Sequence, residues 1–165
     1  MTVDDVRVVE SEDSEQLVCD VLVRGGWTIE RSGARRADGR APMLVSRNGS
    51  LILPDIRATR GGARMFVEVK WQRRTWDIDG DPSVRLKRVH LEHYRRVAES
   101  TGIPVVVWWL IPVDERVMAA SCDVMELGEP CDIGSIGRDE VCNWRIVRLC
   151  PRGDLRSPST AEVTR

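Results

Sequence analysis

Leu51-Ile52-Leu53-Pro54-Asp55 and Phe66-Val67-Glu68-Val69-Lys70 decide how this chain is read. Each is a short apolar run that ends in a charge or is interrupted by one. Val, Ile, Leu and Phe at this density predict strands buried on both faces. A carboxylate inside such a strand is costly unless something compensates it. Two carboxylates and an ammonium on strands that pair point to a site for a hard divalent cation, with Lys70 as a cationic helper. Asp and Glu oxygens are the ligands that Mg2+ prefers. The bland alternative is an exposed Glu-x-Lys whose side chains share one solvated face. Two facts weigh against it: the Pro-Asp element and the apolar flanks of both pieces. A third is composition, since the chain holds 23 Arg but only two Lys, Lys70 and Lys87. A lysine used so sparingly suggests a site that needs a compact ammonium rather than a planar fork.

The surrounding pattern predicts alternating elements. Ser11 or Asp13 is expected to cap a helix running to about Arg24, with Leu17, Val18, Val21 and Leu22 in one stripe and Glu15 on its flank. Residues 1–10 read as a lead-in, with Val6, Val8 and Val9 able to add an edge strand. Trp27 to Arg31 reads as a strand, and 32–43 as a Gly- and Arg-rich loop. Asn48-Gly49 is a hairpin signal between Met43–Arg47 and Leu51–Ala58. Gly61-Gly62 turns the chain into Met65–Trp71. Three antiparallel strands would thus carry Asp55 and Glu68 on neighbours. Arg73 to Gly80 reads as a linker whose Asp77, Asp79 and Asp81 imitate only the start of a calcium loop. Asp81 is expected to cap a helix with Pro82 at its first position, ending near Ser100 before Gly102. Ile103 to Ile111 reads as a buried strand parallel to an earlier one. Val117–Leu127 is either a strand or a short helix, Val141–Leu149 a last strand, and 151–165 a disordered tail.

These residues carry a resemblance. Pro54-Asp55 followed by Glu68-Val69-Lys70 resembles the signature of the PD-(D/E)XK nuclease superfamily, which includes restriction endonucleases, archaeal-type Holliday junction resolvases and phage recombination nucleases. The superfamily usually places an acidic residue on a first helix, ahead of a Gly-aromatic pair. Here Glu15 precedes Gly25-Gly26-Trp27. Recombination nucleases of the group often carry Gln-x-x-x-Tyr after the lysine. Here His90 stands in place of the Gln, and Tyr94 fits. The resemblance spans about residues 12–112.

It implies an α/β, restriction-endonuclease-like fold with a mixed central sheet of four or five strands flanked by helices, in a single domain over residues 11–150. It also implies Mg2+-dependent hydrolysis of DNA phosphodiesters, with Mn2+ as a substitute. Asp55, Glu68 and the Val69 carbonyl would hold the metal, and Glu15 would complete the site directly or through water. Lys70 would orient the attacking water or stabilise charge on phosphorus, with His90 and Tyr94 near the phosphate. The alternative is a non-catalytic nucleic-acid-binding module that kept this fold. A third reading makes Glu-x-Lys incidental to a structural or regulatory protein. Exonuclease, restriction-type endonuclease and junction resolvase all stay open, and a resolvase would require a homodimer. A phage or mobile-element origin suits the size.

Composition bounds the partners. The 165 residues suffice for one sizeable core, with 42% hydrophobic and 31% charged residues. No apolar run is long enough for a membrane helix, and residues 1–5 lack a signal-peptide pattern. Five cysteines without Cys-x-x-Cys read as reduced thiols of a cytoplasmic protein. A zinc site from the late cysteines and histidines finds little support in their spacing. His90 and His93, three apart, read as hydrogen-bonded histidines at a core edge rather than as metal ligands. The net charge of −1 hides an asymmetry. Residues 24–96 hold seventeen bases and eight acids, net +9; the flanking segments are net −6 and −4. That block encloses the candidate site and is where a phosphate backbone would be drawn. Arg35, Arg36, Arg73 and Arg74 are its expected DNA contacts. Trp71 and Trp76 sit where they could stack on a splayed base.

Overall fold

The computed structural model describes residues 3–32, 43–46, 49–113, 116–146 and 150–154. A long helix α1 (Val3–Arg24) is followed by β1 (Thr28–Arg31), β2 (Met43–Ser46), β3 (Gly49–Ile52), β4 (Ile56–Arg60), β5 (Ala63–Trp71), β6 (Trp76–Ile78) and β7 (Asp81–Lys87). Then come α2 (Arg88–Thr101), β8 (Val105–Val113), β9 (Arg116–Asp123), β10 (Asp132–Ile136), β11 (Asp139–Arg145) and β12 (Cys150–Asp154). Six strands form the main sheet in the order β1-β4-β5-β8-β9-β12. Among the described residues of this sheet only β5 and β8 pair in parallel, joined through a helix; the other pairs are antiparallel.

Strand alternation sorts the core into two layers. On β8, Val105, Val107, Trp109 and Ile111 face α2, where Leu91, Tyr94 and Val97 are buried. Trp108 and Leu110 face α1 and its Val18, Cys19 and Leu22. On β5, Val67 and Val69 belong to the α1 layer and Phe66 to the α2 layer. Glu68 and Lys70 share the parity of Phe66, so both project toward α2. The mixed central sheet with a helix on each face is the expected architecture, with a sixth strand at its edge.

Several local expectations give way to tertiary pairing. Leu51–Ala58 is not one strand: it breaks at Leu53-Pro54-Asp55, and β2–β3 forms its own two-stranded sheet. Proline has no N–H to give a ladder, so the break falls there. Asp81-Pro82 does not open a helix. Residues 81–87 are strand β7, paired with β6 on one side and, from Ser83 onward, with β11 on the other. Pro82 lies just outside the β11 pairing, where a missing N–H is tolerated. The helix starts only at Arg88 and leaves Val89 exposed. Part of the linker, Trp76–Ile78, is strand β6, and of Val117–Leu127 the part up to Asp123 is strand β9. α1 begins at Val3 rather than at a Ser11 or Asp13 cap, and no Gly or Pro interrupts it. Residues 150–154 form edge strand β12 rather than tail. The helix ends were read correctly: α1 stops before Gly25-Gly26, and Gly102 caps α2 in the left-handed conformation, φ 64°.

His93 has a structural task. Its Nδ1 accepts the Ile52 N–H at 3.1 Å, tying β3 to α2. That lone pair is therefore not offered to a metal. His93→Ala should leave the amide without its partner and cost about 1–3 kcal/mol in denaturant unfolding. An unchanged midpoint would refute this tie. No helix among the described residues is long and apolar enough to cross a membrane.

Candidate active site

The break before β4 builds the site. β4 pairs with β5 only as far as Ile56 opposite Val67, so the β5 edge beyond Val67 has no strand beside it. Asp55 fills that place: its Oδ2 accepts the Val69 N–H at 2.8 Å. A strand residue's N–H and C=O point the same way, so the Val69 carbonyl opens on the Asp55 side as well. The Asp55 carbonyl accepts the Ser32 N–H at 2.7 Å, fastening the segment to the end of β1.

Among the described residues Glu68 is the most deeply buried charge, with 3% of its surface exposed. Its Oε1 forms an ion pair with Lys70, and the Tyr94 hydroxyl donates a hydrogen bond to the same carboxylate. Burial and the nearby carboxylates push the Tyr94 phenol far above its usual range, so it acts here only as a donor. Burial, with the Glu68 charge adding to it, raises the Asp55 carboxyl from 3.8 to about 7, although the Val69 amide and Lys70 oppose the shift. Burial works against the Lys70 ammonium, but the Glu68 carboxylate overcomes it and the pKa is raised. The charge of Glu15, on α1, makes a minor contribution at both Asp55 and Lys70.

His90 packs edge-on against Tyr94, with ring centres 5.9 Å apart. Burial, aided by Lys70, lowers its pKa to about 4, so it is neutral at physiological pH. Its Nδ1 is buried with no hydrogen-bond partner among the described residues. Arg73 and Arg74 are exposed immediately beyond β5. Arg35 and Arg36 lie outside the described residues.

Asp55 and Glu68 thus share a single lysine, and the Asp55 carboxyl is raised to near neutral first by its burial and then by the Glu68 charge. This donor set fits a hard divalent cation, which would relieve the repulsion. Among the described residues no group of three Asp, Glu, His or Cys side chains is already gathered in metal-binding geometry. A cation that keeps several waters and takes one or two carboxylates needs no such group.

The sequence did not announce the second sheet, order β10-β11-β7-β6, which extends the site. Gln72, at the end of β5, is buried; its Oε1 accepts the Arg85 N–H at 3.0 Å and its Nε2 donates to the Ser83 carbonyl at 3.2 Å. The Arg85 guanidinium donates to Asn143 Oδ1 at 2.7 Å and lies 3.6 Å over the Trp76 ring. Trp71 packs against the α1 layer and also borders the pocket beside this wall.

The architecture is a restriction-endonuclease-like α/β fold. No family model and no curated protein matches the chain. Among solved structures it is similar to Archaeoglobus fulgidus Hjc, a Holliday junction resolvase from an archaeal hyperthermophile, with a TM-score of 0.54. The match covers 85% of this chain and 94% of that one at 16% sequence identity, and what it shows is a shared fold.

Proposed function

We propose that this protein is a Mg2+-dependent DNA nuclease of the PD-(D/E)XK type. The observation that carries the reading is the meeting of Asp55, Glu68 and Lys70 at the open edge of β5, with Glu15 acting on the same site, inside a resolvase-like fold. Asp55, Glu68 and the Val69 carbonyl would hold the cation, with Glu15 direct or through water and Mn2+ as a substitute. A bound divalent cation supplies Lewis-acid polarisation of the scissile phosphate and a lowered pKa for the attacking water.

The chain's own residues do the rest. Tyr94 fixes the Glu68 carboxylate by its hydroxyl hydrogen bond. Lys70, whose pKa is raised, stays protonated and so cannot serve as a base. It is a fixed positive charge for the phosphoryl oxygens in the transition state. His90, being neutral, leaves Lys70 without a competing cation. The Pro54 break keeps the β5 edge open so that a phosphate can approach it.

The test is incubation of plasmid, linear and branched DNA with Mg2+, Mn2+ or EDTA. Cleavage with either metal and none in EDTA is expected. The resemblance to a junction resolvase makes branched DNA the first substrate to try. No cleavage of any of the three would leave the binding-module reading in its place.

Binding should follow the basic block. Replacing Arg73 and Arg74 together by alanine should flatten the dependence of log affinity on log salt by roughly 2, about 0.9 for each lost phosphate contact. Arg116→Ala, in the acidic last third, should leave the slope alone. Equal effects from both would remove any special role for the 24–96 charge.

A further inference from the structure

We propose that the pocket beside Lys70 receives the base of one nucleotide turned out of its stack next to the bond to be cut, so that the preferred substrate is DNA with an unpaired or displaced nucleotide. This rests on the nuclease reading above and names its substrate class.

The pocket measures about 490 Å³, within the usual range for small-molecule sites. Lys70 and His90 form the wall it shares with the candidate active site. A base lodged there would therefore belong to a nucleotide adjoining the phosphate at Lys70. The far wall is apolar and comes from Leu86, Trp76 and the second sheet.

Two observations select a nucleotide as the occupant. The first is charge: five lining residues are Lys or Arg, and none is acidic. A cationic ligand is disfavoured and a phosphate-bearing one favoured. The second is a preformed stacking plane. Arg85 lies over the Trp76 ring at 3.6 Å, Arg74 approaches it at 5.7 Å, and Asn143 and Gln72 hold Arg85 in place. Aromatic rings and guanidinium planes are the surfaces on which unstacked bases rest.

The experiment uses the full chain and two labelled duplexes: one fully matched, and one identical but for a single unpaired adenosine. Binding is followed by anisotropy in Ca2+, and cleavage in Mg2+. The wild type should prefer the unpaired substrate about ten-fold or more, the effect of one base stack. Trp76→Leu should reduce that preference to near one, and Trp76→Phe, which keeps a ring, should restore it. The phenylalanine variant also shows whether the fold tolerates change at this position. Mg2+-dependent cleavage of both duplexes without preference, or a preference that survives Trp76→Leu, would overturn the pocket and leave the nuclease reading intact. A Trp76-dependent binding preference without any cleavage would uphold the pocket and overturn the nuclease reading. Neither binding nor cleavage would overturn both.

Discussion

Lys70→Ala is expected to lower DNA cleavage in Mg2+ by about 10²-fold or more, the scale of a lost preorganised electrostatic contact. Binding measured in Ca2+ should change by one phosphate contact at most. Lys70 is largely buried and already ion-paired to Glu68, so its position is fixed before substrate arrives. Its raised pKa keeps it charged at neutral pH, which is the state a developing negative charge needs. Lys70→Arg should also be poor, because a planar fork does not fit where a point charge sits between Glu68 and the substrate. In a binding module there is no turnover to lose, and Lys70→Arg would be nearly silent. Cleavage undiminished in Lys70→Ala would remove the proposed mechanism even with the fold intact.

Asp55→Asn should abolish cleavage and remove the stabilisation that Mg2+ confers. At about a hundred times its dissociation constant, Mg2+ should stabilise the wild type by roughly 2.7 kcal/mol. The sign of the pH effect follows from the Asp55 carboxyl, raised from 3.8 to about 7. The folded chain holds this proton more tightly than the unfolded one. The resulting stability is fully present below about 4 and is lost as pH rises through about 7. Metal-free wild type should therefore lose stability relative to Asp55→Asn between pH 6 and 8. The asparagine can still accept the Val69 N–H, so only the charge is removed. Because proton and cation compete for the same carboxylate, stabilisation by Mg2+ should be larger at pH 8 than at pH 6. Thermal melts of both proteins at both pH values check this. A wild type whose melting ignores Mg2+ at either pH would sink the metal site.

How far the sequence carried these conclusions depended on how local each signal was. Asp55, Glu68 and Lys70 stood out because charge in a buried strand demands an explanation from the sequence alone. Gly25-Gly26 and Gly102 marked helix ends because chain reversal at a helix C-terminus is a local matter. Asp81-Pro82 misled because local capping chemistry was outweighed by pairing with Val141–Arg145, far along the chain. Burial of Ser83, Val84 and Leu86 beside β11, with Val84 and Leu86 in the main core, gives strand more than a helix start would gain. β12 was illegible because a short edge strand takes its order from the neighbour it joins rather than from its own pattern. The stack of Trp76 and Arg85 was equally hidden: Arg85 reads as a residue on the exposed side of a helix until β7 is known to be a strand.

The central claim is that Asp55, Glu68 and Lys70 form a metal-dependent phosphodiesterase centre. Its most direct test is cleavage of end-labelled branched and linear DNA by wild type and Lys70→Ala, side by side, in Mg2+ and in EDTA. The expected result is cleavage by wild type in Mg2+ alone, reduced about 10²-fold or more in Lys70→Ala. Equal cleavage by the two proteins, or wild-type cleavage that persists in EDTA, would contradict it.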